Sequence, residues 1–110
     1  MYELKVFYIM HIISMLDGVT YKGSGPSVKV LLESDFIKEI SIAFKSGHQM
    51  KSHKSGYPIV IHIVEGTIDL GVDNERFMLK QGVLVSLEAN VLHDLIAVER
   101  SIVRLSVHVS

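Results

Sequence analysis

The chain has 110 residues, which suits one domain and leaves no room for two. Hydrophobic residues make up 48% of it and charged residues 21%, a balance typical of a protein with a packed core. Eleven basic and twelve acidic residues give a net charge of −1 without a basic stripe, which argues against nucleic acid as a partner. Cysteine is absent, which excludes disulfides and thiolate ligands and fits the cytoplasm, where we expect the protein to be located.

The N-terminal part differs in pattern from the rest of the chain. An apolar run over residues 9–16 is interrupted by His11 and Ser14 and is too short to span a bilayer, so no membrane association is expected. A signal peptide is not expected either, since a cationic start and a small-residue cleavage site are missing. We predict an arm over residues 1–24 that packs on the domain or on a partner subunit, and one domain over residues 25–110.

Hydrophobic residues alternate with polar ones in several short runs, which is the periodicity of strands that cover a core. Such runs occupy residues 27–33, 39–45, 67–72 and 102–109. Turn-forming residues fall between them, and a helix is hard to place after residue 24. The pattern predicts an all-β domain, either a sandwich or a barrel.

Two further runs, residues 59–64 and 82–87, are apolar on both faces. A strand of this kind is covered on both sides. In a small barrel, one face lines the interior and the other meets a second sheet or another subunit. We therefore predict a homodimer, since dimerisation would also supplement a core of modest size.

The segment from Gly47 to Gly66 resembles the first conserved motif of the cupin family, which reads G-x5-H-x-H-x3-E-x6-G. The segment from Gly82 to His93 resembles the second, which begins G-x5-P-x-G-x2-H. Both spacings fit without gaps, and the resemblance covers roughly residues 25–110. It implies a small single-domain cupin, that is, a double-stranded β-helix or jelly-roll barrel.

The resemblance also implies where a metal would be held. In metal-holding cupins, two histidines and a glutamate of the first motif converge on one ion with the histidine of the second. Two of these ligands are retained as His53 and His93, whereas Ser55 and Ile59 occupy the other two positions. The second motif departs at three more positions, which are Glu88, Asn90 and Ala97. Two histidines alone hold a metal weakly, so the sequence does not favour a divalent transition metal as cofactor.

Two other polar side chains are candidates for completing a site. By strand alternation, His62 points away from Ile59 and toward a second sheet or a dimer contact. We expect it to be a buried, hydrogen-bonded histidine rather than a ligand. Gln49 could reach the cavity as donor and acceptor, although a position in a loop at the rim is expected.

The leading hypothesis is a cupin that binds a small molecule in its barrel cavity, with His53 and His93 as polar anchors. Ser55, Gln49 and His62 are further candidate ligand-binding residues. The first alternative is a metal-dependent cupin enzyme of the dioxygenase or isomerase type, with His53 and His93 as metal ligands. The second is a non-catalytic interaction module whose apolar outer faces drive assembly. The sequence assigns no catalytic residue.

Overall fold

The computed structural model describes residues 10–110, and β-strands are the regular structure in this part of the chain. In chain order the strands are β1 (Ser27–Glu33), β2 (Ile37–Phe44), β3 (Gln49–His53), β4 (Ile59–Glu65), β5 (Thr67–Val72), β6 (Glu75–Lys80), β7 (Leu84–Leu87), β8 (His93–Ala97) and β9 (Ser101–His108). Within the described residues, the structure has no helix of the length and apolar character that a membrane crossing requires.

The strands form two sheets, and the strand pairs are antiparallel. Sheet A has the order β1-β2-β9-β4-β7, and sheet B has the order β3-β8-β5-β6. The chain crosses repeatedly from one sheet to the other, as in a jelly roll. The all-β jelly-roll barrel predicted from the sequence is confirmed.

The hydrophobic core lies between the sheets and shows the predicted alternation most clearly on β4. Ile59, Ile61 and Ile63 are buried. His62 alternates with them and lies on the outer face of sheet A. The expectation that Ile59 lines the interior and that His62 points away from it is confirmed.

Strand β1 departs from the simple pattern of one apolar face over a core. Val28 and Val30 face the same way as core residues of β2, yet they are 52% and 44% exposed. Sheet A is one strand wider than sheet B, so its edge strand β1 has less of sheet B opposite it. A register shift between Val30 and Leu32 also puts a β-bulge into this edge.

The chain before β1 contacts the outer face of sheet A. The Lys29 ammonium donates a hydrogen bond to the Asp17 carbonyl at 2.9 Å, and Arg104 Nη1 lies 3.1 Å from the Met15 sulfur. Residues 1–9 of the predicted arm lie outside the described residues. The division of the chain into an arm and a barrel therefore stays a prediction.

The turn between β4 and β5 carries the chain from sheet A to sheet B and brings it against the start of β9. Gly66 in this turn has a left-handed backbone, with φ 89°. A methyl group on it would collide with the Arg100 carbonyl oxygen and with Ser101. The Thr67 amide donates to Ser101 Oγ at 3.0 Å, which ties the turn to β9. Glycine is therefore required here by both conformation and space.

Candidate functional site

His53 and His93 face each other at one end of sheet B. They are direct partners in the antiparallel pairing of β3 with β8, so their side chains share a face. The ring centroids are 4.3 Å apart and the ring planes are inclined by 57°. On β8, His93 alternates with buried Leu95 on the interior face, so both rings belong to the barrel interior.

An extra residue in β3 turns His53 inward. Met50 pairs with Leu95 and His53 pairs with His93, so three steps along β3 match two along β8. In a regular strand, Met50 and His53 would point to opposite faces. Met50 packs against the core, and the bulge brings His53 to the same side.

Each ring is oriented by a hydrogen bond from Nδ1 to a backbone carbonyl two residues earlier. His53 Nδ1 lies 2.6 Å from the Lys51 oxygen, and His93 Nδ1 lies 2.9 Å from the Val91 oxygen. Because a carbonyl oxygen only accepts, Nδ1 carries the proton in both rings. In the neutral form each Nε2 then presents a lone pair. We call these two rings the histidine pair.

The two members of the pair differ in their electrostatic environment. His93 is only 3% exposed, whereas His53 is partly exposed. Burial lowers the pKa of His93 below its usual value of 6.5. The hydrogen bond to Val91 opposes this shift, and the neighbouring His53 ring adds to it. Burial therefore favours the neutral form of His93.

The surroundings of the histidine pair are mostly apolar. Val72 is its neighbour on β5 and packs against the core. On sheet A, the strand ends joined to the pair by loops carry Ile59 and Leu87, which pair with each other. Ile59 also pairs with Val107 on β9, and Val107 pairs in turn with Lys38 on β2. The pair is thus a small polar group at the end of an apolar interior.

Ser55 follows His53 by two residues, but its polar groups are used within the loops. The Tyr57 amide donates to Ser55 Oγ at 3.1 Å, and the Asn90 amide donates to the Ser55 carbonyl at 2.7 Å. The second bond joins the loop after His53 to the loop before His93. Sequence reasoning did not find this contact. The sequence feature that could have indicated it is Asn90, which stands where the motif has glycine. Asparagine tolerates the left-handed backbone that this position adopts, with φ 67°.

The structure does not bring Gln49 or His62 to the histidine pair. Gln49 is exposed and pairs with Ile96, which lies on the face of β8 opposite His93. His62 pairs with Arg104 on the outer face of sheet A. Its Nδ1 is buried, and the expected hydrogen bond to that atom is not found among the described residues.

Comparisons with known proteins support the architecture. No family model matches the sequence, and no curated protein does. An RmlC-like cupin from Desulfovibrio desulfuricans superposes with a TM-score of 0.83 at 20% identity, covering 90% of this chain and 96% of that one. The chain has the cupin fold. A protein with a double-stranded β-helix domain from Klebsiella pneumoniae gives 0.82 at 17% identity, covering 90% of each chain.

A cupin superfamily protein from Desulfitobacterium hafniense is also similar, with a TM-score of 0.77 at 13% identity over 84% of each chain. The small cupin domain predicted from the two motifs is confirmed at the level of fold. The motif glycines retain a backbone role, because Gly47 and Gly82 have φ 86° and 91°. Two turn glycines of the motifs are therefore kept, whereas Ser55 and Ile59 occupy two of the four metal-ligand positions.

The cupin domain does not provide a complete metal site. Within residues 10–110, no group of three or more histidine, cysteine, aspartate or glutamate side chains is arranged to hold an ion. Ile59, at the motif's glutamate position, is a buried hydrocarbon, and the Ser55 hydroxyl accepts a loop hydrogen bond. Protein sites normally supply at least three ligands. The described residues thus do not fit a resident metal ion.

A second polar cluster lies on the outer face of sheet B. Arg76 Nε donates to Asp69 at 3.0 Å, and Nη1 donates to the Asp94 carboxylate at 2.8 Å and 2.9 Å. Gly71 lies between Arg76 and Asp94 and leaves room for the guanidinium. A cavity of about 830 Å³ borders this cluster. Because Asp94 follows His93 along β8, the cluster faces away from the histidine pair.

Proposed function

We propose that this cupin binds a small molecule inside the barrel, with Nε2 of His53 and Nε2 of His93 as polar anchors. The observation that carries the proposal is the close pairing of two oriented imidazoles, with centroids 4.3 Å apart, among apolar residues. A few convergent polar groups in an apolar surrounding are typical of small-molecule sites. Both Nε2 atoms are available because the Nδ1 atoms are engaged with the backbone.

Access to the proposed site is expected from the side of His53. His93 is almost fully enclosed, while His53 is the last residue of β3 and keeps part of its surface exposed. The loops over residues 54–58 and 88–92 border this end of the barrel and are joined by the Asn90 to Ser55 hydrogen bond. A ligand that enters between them would meet His53 before His93.

A ligand screen on matched variants tests the proposal. In a His53→Asn, His93→Asn double variant, the amide nitrogen of asparagine can replace Nδ1 in its bond to the backbone carbonyl, whereas Nε2 is lost. We expect a compound that raises the melting temperature of the wild type to leave this variant unchanged. His108→Asn is the control, because His108 is an exposed histidine near the C-terminus. A compound that stabilises wild type and double variant alike would contradict the proposal.

A metal-dependent enzyme is the alternative that the two lone pairs would favour, since imidazole nitrogen is a good ligand for transition metals. The incomplete ligand set is the physical argument against it. Elemental analysis of protein purified without a histidine tag separates the two functions. We expect less than about a tenth of an equivalent of transition metal, because functional sites normally bind their metal tightly. A content close to one equivalent would favour the enzyme.

Assembly is proposed separately from ligand binding. Leu84, on the outer face of sheet A, is 62% exposed, and Val83 beside it is also exposed. These residues belong to the run that is apolar on both faces, and we propose that a second copy of the chain covers them in a homodimer. A cytoplasmic location remains a prediction from the missing cysteines.

A further inference from the structure

We infer that the histidine pair selects a neutral ligand with hydroxyl groups on two adjacent carbons and an apolar body. The inference rests on the proposed function, because it names the chemistry that the same site would recognise. It is carried by the way the two rings are bonded to the backbone and by the residues around them.

The first step is a count of donors and acceptors. A neutral imidazole has one N–H group, and in both rings that group is engaged with a carbonyl, at 2.6 Å in His53 and 2.9 Å in His93. What remains on each ring is the lone pair of Nε2. With both rings neutral, the histidine pair therefore offers a ligand two acceptors and no donor, so the ligand must supply the protons of both hydrogen bonds.

The second step concerns spacing. His53 and His93 are directly opposed across two strands, and their ring centroids lie 4.3 Å apart. Two O–H donors that each bond one Nε2 at about 2.7–3.0 Å must then be close to one another. Hydroxyl groups on neighbouring carbons satisfy this condition within one small molecule. A single hydroxyl can serve one acceptor and leaves the other unsatisfied.

The third step concerns charge. An ionised carboxylate, or a fully ionised phosphate group, offers acceptors only and would face two lone pairs. At the corresponding end of sheet A, the inward-facing residues Ile59, Leu87 and Val107 carry no carboxylate that could pair with an ammonium group. Lys38, which pairs with Val107, lies two strands from Ile59, roughly 10 Å away at the usual strand spacing. An anion drawn to Lys38 would therefore not engage the histidine pair.

A matched series of cyclohexane derivatives tests the inference on the 110-residue chain in the presence of a chelator. The probes are cis-1,2-cyclohexanediol, cyclohexanol, cis-1,2-dimethoxycyclohexane and cyclohexanecarboxylate, which share a ring and differ in donors and charge. Histidine side-chain NMR spectra report the tautomer of each ring and the binding of each probe. We expect Nδ1–H tautomers in both rings, and a diol affinity at least about tenfold above that of the dimethyl ether.

Variants distinguish a failure of the diol specificity from a failure of ligand binding at the histidine pair. His53→Asn and His93→Asn are each expected to reduce diol binding, whereas His108→Asn leaves it unchanged. A preference for the carboxylate, an Nε2–H tautomer in either ring, or no response to the diol overturns the inference. So does diol binding that appears only when Zn²⁺ replaces the chelator. Diol binding that survives both asparagine substitutions at full strength overturns the proposed function itself.

Discussion

Replacing Gly66 with alanine is expected to destabilise the barrel more than the same replacement at Gly47. Both glycines have a left-handed backbone, with φ 89° and 86°. They differ in their surroundings, because a methyl group on Gly66 would meet the Arg100 carbonyl oxygen and Ser101, whereas nothing lies within 4 Å of one on Gly47. The comparison thus separates the cost of conformation from the cost of close approach.

The magnitude follows from these two costs. A non-glycine residue in the left-handed region costs about 1–2 kcal/mol, and this applies at both positions. Overpacking against neighbours that cannot move freely adds about 1–3 kcal/mol at Gly66. The lower entropy of the unfolded chain offsets part of the cost in both variants, by about 0.4–1 kcal/mol. The expected loss in the free energy of unfolding is then about 3 kcal/mol for Gly66→Ala and about 1 kcal/mol for Gly47→Ala.

Urea unfolding followed by circular dichroism measures both losses. We expect a lower transition midpoint with an unchanged m-value for each variant, and a clearly larger shift for Gly66→Ala. The wild-type chain is the reference. Equal shifts for the two variants would refute the argument, because the turn at Gly66 would then not press against the start of β9.

Acid, surface and core perturbations are each expected to give a distinct result. Burial lowers the pKa of His93 in the folded chain below 6.5, so the unfolded chain binds a proton on this ring more readily than the folded chain does. The melting temperature should therefore fall as the pH drops below about 6.5, and it should fall less in His93→Asn. Leu84→Ser is expected to weaken the homodimer in sedimentation experiments, and a wild type that is monomeric at micromolar concentration would contradict the dimer. Ile59→Glu puts a carboxylate into the core and should lower the melting temperature. Added Zn²⁺ should restore part of the lost melting temperature, because the new carboxylate would be a third ligand beside His53 and His93. A variant that Zn²⁺ does not stabilise would argue that position 59 does not face the histidine pair.

The sequence predicted the barrel because side-chain alternation reports which face of a strand is buried. On β4 the burial of Ile59 and the outward position of His62 follow from that rule alone. The same rule failed to anticipate the exposure of Val28 and Val30, since alternation does not reveal that a strand lies at the edge of a wider sheet. Edge position depends on strand order, which is a long-range property.

The site was only partly predictable. Motif spacing indicated that His53 and His93 belong together, but strand periodicity did not, because a bulge interrupts β3 between Met50 and His53. The orientation of the two rings depends on backbone carbonyls, which have no signature in side-chain patterns. The bond from Asn90 to Ser55 joins two separate loops, and its formation requires the folded backbone.

The bulge in β3 makes the direction of the His53 side chain depend on the number of residues in this strand. Three steps along β3 from Met50 to His53 match two along β8, so loss of Lys51 or Ser52 would restore regular pairing. His53 would then lie two residues from Met50, on the same face, and would still be opposite His93. In homologous chains, a one-residue deletion here would therefore keep the histidine pair and straighten the strand, whereas a regular strand of unchanged length would turn His53 toward solvent.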